Sequence, residues 1–126
     1  MRINNFKDLI VWQKSMKLVI NVYQLIKELP REEKDGIANQ MRRSAVSIPS
    51  NIAEGYCRYS NKELLQFLYI ARGSSAELET QLLIVKRLNL ASNEKVEITL
   101  TLCEETEKLI NAFIKSVKNK NNLQSL

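Results

Sequence analysis

From about Asp8 to Glu28, apolar residues recur at alternating spacings of three and four. Leu9, Trp12, Met16, Val19, Tyr23 and Ile26 therefore share one face of a helix and read as its core stripe. A second apolar line, made by Val11, Leu18, Val22, Leu25 and Leu29, falls nearly opposite at about 100° per residue. Leu29 and Pro30 close this helix, because a residue before proline is pushed away from helical geometry. A second helix is predicted from about Glu32, with Ile37, Met41, Ala45, Ile48 and Ile52 inward. Arg43, Ser47, Ser50 and Glu54 line its opposite side, and Gln40 and Asn51 its edges. Ser60 and Glu63 have capping-box spacing and open a third helix that runs to about Leu88. Its core stripe is Leu64, Phe67, Leu68, Ala71, Ser75, Leu78, Leu82 and Val85, beside a weaker line of Leu65, Tyr69, Ala76 and Leu83. After the turn "NLASNEK", with Ser92 as N-cap, Ile98, Leu102, Thr106, Leu109, Phe113 and Val117 mark a fourth helix. Periodicity is lost from about residue 119, which reads as a frayed tail.

Four helices with short connections predict an all-α fold, a single antiparallel up-down-up-down four-helix bundle over residues 1–126. Pro49 falls inside the second helix. It removes one backbone donor, at a cost of about 3 kcal/mol in a helix interior, and predicts a kink there. A polar network of Arg43, Ser50, Asn51, Glu54 and Glu77 is expected to brace it. A bundle needs one inward stripe per helix, so the extra lines on helices one and three call for another role. Either helix one lies deep between its neighbours, or the chain self-associates. The second reading is adopted, with Val11, Leu18, Val22, Leu25, Leu65 and Tyr69 at a homo-oligomer interface.

Composition narrows the chemistry. The chain has 126 residues, 44% of them hydrophobic, with three glycines and two prolines, which suits one compact helical domain. No stretch approaches the roughly 18 apolar residues of a membrane span, and charge interrupts the N-terminal segment too often for a signal peptide. No membrane partner and a cytoplasmic location are expected, with Cys57 and Cys103 as packed, unpaired thiols. Histidine is absent, which removes the commonest general base and metal ligand. There is no Cys-x-x-Cys pair and no glycine-rich phosphate loop, so no metal, cofactor or catalytic residue is assigned. Glu104, Glu105 and Glu107 read as a solvated helix face, and Arg43 with Glu54, Glu77 and Glu79 as bracing rather than an anion site.

The net charge of +5, from 19 basic and 14 acidic residues, is compatible with a polyanion partner such as RNA. The nucleic-acid candidates are Arg42, Arg43 and Arg58 around the proline segment and Arg72, Lys86 and Arg87 on helix three. Lys115, Lys118 and Lys120 join them near the C-terminus. The aromatic residues Trp12, Phe67 and Phe113 fall on core stripes, so no stacking platform is expected.

Three segments carry a family resemblance: "FKDLIVWQKS" at Phe6–Ser15, "QMRRSAVSIPSNIAEGYCR" at Gln40–Arg58 and "YIARGSSAELETQL" at Tyr69–Leu82. Together they resemble the 23S rRNA intervening sequence proteins, small bacterial four-helix bundles, over about Phe6 to Val117. That family name records where the genes lie and implies no reaction. A related branch, the accessory proteins of diversity-generating retroelements, forms basic pentameric barrels that bind nucleic acid and a reverse transcriptase. The resemblance thus implies a homopentamer without enzymatic activity. The expected function is an RNA-binding oligomeric scaffold. The alternative is an adaptor for another protein, such as a polymerase or reverse transcriptase, with incidental nucleic-acid contact.

Overall fold

The computed structural model describes residues 5–125, with side chains through residue 120. Four helices make up almost all of it: α1 (Ile10–Ile26), α2 (Ile37–Tyr56), α3 (Asn61–Arg87) and α4 (Asn93–Ser125). Single 3₁₀ turns at Phe6–Asp8 and Arg31–Glu33 precede α1 and α2, and no strand occurs among the described residues. The chain is an all-α four-helix bundle in which each helix packs on two neighbours, α1 on α2 and α4, and α3 on α2 and α4.

Cross-helix contacts fix the directions. Ser44 meets Gln81 while Gly55 meets Phe67, so α2 and α3 run antiparallel. Lys86 bonds Glu97 while Cys103 lies against the Ser75 carbonyl, and α4 runs antiparallel to α3. Lys14 meets Glu105 and Glu28 meets Lys95, which sets α1 antiparallel to α4.

Helix ends follow local chemistry. The Ser60 hydroxyl accepts from the Glu63 N–H at 3.1 Å, so α3 begins where the capping box predicts. The Glu63 carboxylate returns to the Ser60 hydroxyl at 3.2 Å rather than to its backbone N–H. α2 begins at Ile37, later than expected, because the segment after Pro30 makes one 3₁₀ turn and Gly36 stands at the N-cap with non-helical backbone (φ −99°, ψ −115°). α2 then continues unbroken past Pro49 to Tyr56. α4 extends to Ser125 where the polar tail was expected to fray; adding residues to an existing helix needs no new nucleus.

The core corrects the expected interface. Val11, Leu18, Val22 and Leu25, assigned to a contact between subunits, are buried within the chain itself, as is Leu65. The face of α1 that turns outward is the one expected in the core: Met16 and Tyr23 are exposed, and Trp12 and Val19 only partly covered. The reason lies in Ser15, which interrupts the apolar line yet is fully buried, its hydroxyl donating to the Trp12 carbonyl at 2.8 Å. A small side chain satisfied by its own helix leaves room for close approach, so the face carrying it packs inward. On α4 the expected line holds at Leu102, Thr106 and Val117, with Leu109 and Phe113 packed against the core, and departs only at its start. Its inward line is Val96, Thr99, Cys103, Thr106, Ile110, Ile114 and Val117, with Thr99 and Thr106 bonded to the carbonyls of Lys95 and Leu102, while Ile98 faces out. No buried side-chain nitrogen or oxygen among the described residues lacks a partner.

Two predictions follow from this packing. Leu18→Ala should lower the unfolding free energy by about 2–5 kcal/mol, and Met16→Ala by less than about 1 kcal/mol; urea denaturation of both variants checks the assignment of faces. At Gly55 an added Cβ would come within 2.6 Å of the Phe67 Cβ, whereas at Gly73 it would meet nothing within 4 Å. Gly55→Ala is therefore expected to destabilise by about 1–3 kcal/mol, and Gly73→Ala to stabilise by about 0.5–1 kcal/mol.

Candidate functional site

The α2–α3 seam concentrates polar side chains. The Ser44 hydroxyl lies 2.8 Å from a Glu77 carboxylate oxygen, 3.0 Å from Gln81 Oε1 and 2.9 Å from the Gln40 carbonyl. One turn on, the Ser47 and Ser74 hydroxyls meet at 2.8 Å, and Asn51 donates to the Ser47 carbonyl and hydroxyl. Of the expected network, Asn51 belongs to this seam and Glu77 reaches it. Arg43 and Ser50 lie on the exposed side of α2, and Glu54 pairs with Arg58 at 3.1 Å in solvent. They point outward because their helical positions lie opposite the core line Met41, Ala45, Ile48 and Ile52. Of the serines that build the seam, Ser47 was placed on the side of α2 opposite its core line and Ser44 and Ser74 were given no role, although Glu77 and Gln81 stand one helical turn apart, the spacing that lets both reach one hydroxyl.

The basic candidates do not form one patch within the chain. Arg42, Arg43, Lys86 and Arg87 gather at the end where α2 begins and α3 stops. Lys86 is paired there with Glu97 at 2.6 Å. Arg58 lies at the other end, roughly 30 Å away by the rise of α3 from Phe67 to Arg87, with its guanidinium 5.0 Å from the Phe67 ring centre. Arg72 and Lys118 converge on Tyr69, at 5.1 and 5.6 Å from its ring centre. Tyr69 is partly exposed, consistent with an outward role, but it carries cations. Aromatic and basic residues are thus interleaved at this end, contrary to the expectation, and Tyr59 stands fully exposed beside Arg58. The spacing of three between Tyr69 and Arg72 was the available signal.

Larger clefts offer little chemistry. One of about 370 Å³ between α1 and α4 is lined by Lys17, Asn21, Glu97, Ile98, Thr101, Leu102 and Glu105. Glu105 is held ionised there by its 2.7 Å bond to Lys14, which pulls its carboxyl below the ordinary value. Glu28 is lowered in the same way by its hydrogen bond from Lys95, helped by the Ser92 N–H. No group of acids and cysteines among the described residues has the arrangement of a metal site. Cys57 and Cys103 are unpaired; Cys103 is buried, as expected, whereas Cys57 is exposed at the end of α2.

The acidic run on α4 is not a uniform solvated face. Glu107 is partly buried between α3 and α4, facing Glu79 and 3.7 Å from the Cys103 sulfur. Desolvation, then its hydrogen bond and repulsion with Glu79, raise its carboxyl from 4.5 to about 7. Burial, followed by the charge of Glu107, pushes the Cys103 thiol up as well, which suppresses thiolate chemistry. Between the unfolded value of 4.5 and the folded value of about 7, the folded chain binds more proton than the unfolded one. Stability should therefore fall as pH rises through this window and level off above it. In urea denaturation at about pH 5 and about pH 8, Glu107→Gln should remove most of this fall and be the more stable protein at the higher pH.

Among the described residues, no helix is long and apolar enough to cross a membrane. Comparison with known proteins agrees with the fold. A crystal structure of a protein of unknown function from the S23 ribosomal protein family of Bacteroides thetaiotaomicron is 29% identical, with a TM-score of 0.78. The similarity covers 84% of this chain and 99% of that one. No curated protein matches. The family described as 23S rRNA-intervening sequence protein matches residues 7–112, the span that holds the three motif segments but for Phe6, and all four helices but the end of α4. This chain belongs to the 23S rRNA-intervening sequence protein family.

Proposed function

We propose that the chain is a non-enzymatic, homo-oligomeric scaffold that binds structured RNA through a basic surface shared between subunits. The observation that carries the RNA reading is the pair of cations on Tyr69. Arg72 and Lys118 approach one ring from different helices, and neither has a carboxylate partner among the described residues. Two like charges held together without an acid between them form a preassembled seat for a polyanion. Arg58 over Phe67, with the exposed Tyr59 next to it in the chain, adds a second cation–aromatic pair on the α2 side of α3. The link of the family name to 23S rRNA favours the same ligand class.

Self-association is supported by what the bundle leaves outside. Ile10, Ile20 and Tyr23 on α1 and Ile70, Ile84 and Leu88 on α3 are exposed, and their burial between copies would remove two apolar surfaces from water. A pentameric ring, the assembly implied by the resemblance, would repeat the Tyr69 cation pair around one axis. The same apolar residues also suit an adaptor that holds another protein. The chain has no histidine, the commonest general base, which supports a binding role over catalysis.

Reversal of Arg72 and Lys118 to glutamate should weaken RNA binding by about tenfold or more with helicity unchanged; unaltered affinity would remove this surface from the interface. Ile20→Glu and Ile84→Glu, tested separately by light scattering on a sizing column, should reduce the mass of the assembly. A wild-type chain that is already monomeric, but recovers one partner stoichiometrically after nuclease treatment, would favour the adaptor.

A further inference from the structure

A smaller cleft, of about 190 Å³, sits at the junction of α1 and α2. Its floor is apolar, from Ile26, Leu29 and Ala38, and three cations stand around it: Arg31, Lys34 and Arg42. No carboxylate lines it, although Glu32, Glu33 and Asp35 are adjacent in sequence. Glu33 turns toward Gly36 instead, 3.6 Å from where a Cβ would stand. Arg42 is half-buried, and its one described hydrogen bond is a long 3.4 Å donation to the Lys34 carbonyl. None of the three cations has an ion-pair partner among the described residues.

Three positive groups around one small cleft repel one another, and no carboxylate in its lining offsets that repulsion. A compact anion with several acceptor oxygens does so. The arginine fork matches phosphate oxygens in geometry, and a lysine supplies a point charge beside them. A carboxylate has fewer oxygens to share among three donors, and a large apolar ligand would strand the charges.

We propose that this cleft is a phosphate-binding site that seats one phosphoryl group among Arg31, Lys34 and Arg42. It lies at the opposite end of the bundle from the Tyr69 cation pair and stands whether or not that surface binds RNA. The group can come from free phosphate or from the 5′ end of a nucleic acid, two sources with the same chemistry at the cleft.

Backbone amide shifts in the folded, full-length protein test the site. Inorganic phosphate is titrated at constant ionic strength, held with sodium chloride. In parallel, a tetraribonucleotide carrying a 5′-phosphate is compared with the same sequence ending in a 5′-hydroxyl. The expected result is saturable shifts confined to the Arg31–Arg42 segment, with phosphate binding at least about tenfold weaker in Arg42→Gln. Arg31→Gln, exposed and outside any core contact, gives the same readout should Arg42→Gln disturb the fold. Preference for the 5′-phosphorylated oligonucleotide over both the hydroxyl form and inorganic phosphate would identify a nucleic-acid end as the source, and equal binding of inorganic phosphate a free anion. Shifts that fail to saturate, spread over all surface lysines, or persist unchanged in both variants would overturn the site, whatever RNA does at Tyr69.

Discussion

The close contact of α2 with α3 is the constraint on which the rest of the bundle depends. Gly55 brings the two backbones so near that a single added carbon would collide with Phe67. Ser47 against Ser74, and Ser44 against Glu77 and Gln81, then pin the register one turn after another. These contacts have direction and length, whereas the apolar core alone would tolerate sliding. With α2 and α3 locked, α4 and α1 have one groove left to fill. Pro49, buried within α2, falls between the Ser47–Ser74 pair and the Gly55 contact, and the helix passes through it unbroken. The lost backbone bond is local, while the seam beside it is made along several turns.

Much of this was legible from residue spacing. The inward lines of α2 and α3 fall where the periodicity puts them, from Met41 to Ile52 and from Leu64 to Val85, and Ser60 caps α3 as its spacing with Glu63 requires. α1 was read in the wrong rotation, and α4 only at its start, for one physical reason. Ser15 and Thr99 were left out of the expected apolar lines, yet they satisfy themselves on their own helices and pack inward at little cost, as do Ser75 and Thr106, which were placed inward. Large apolar residues such as Met16, Ile98 and Tyr23 were drawn into the predicted core and in fact face out. A stripe rule that weighs hydrophobicity without size misses this exchange.

The site was less legible, because charge positions along a chain do not reveal which helix ends meet. Arg42 and Arg58 are close in sequence and lie toward opposite ends of the bundle, whereas Arg72 and Lys118 are far apart in sequence and share one ring. The same topology leaves Glu107 facing Glu79 across α3 and α4, where a proton rather than a cation relieves the repulsion. Basic surface is therefore split between two ends, and an assembly that repeats each end offers a polyanion more than one chain can. On the proposed reading, self-association would thereby serve RNA binding.

The most direct measurement is fluorescence anisotropy of the size-defined oligomer with structured RNA and with DNA of matched sequence, each titrated across salt. Preference for RNA is expected, with an affinity that falls steeply as salt rises because phosphate contacts release counterions. Absence of RNA binding near physiological salt, or equal binding of both nucleic acids with a shallow salt dependence, would contradict that expectation.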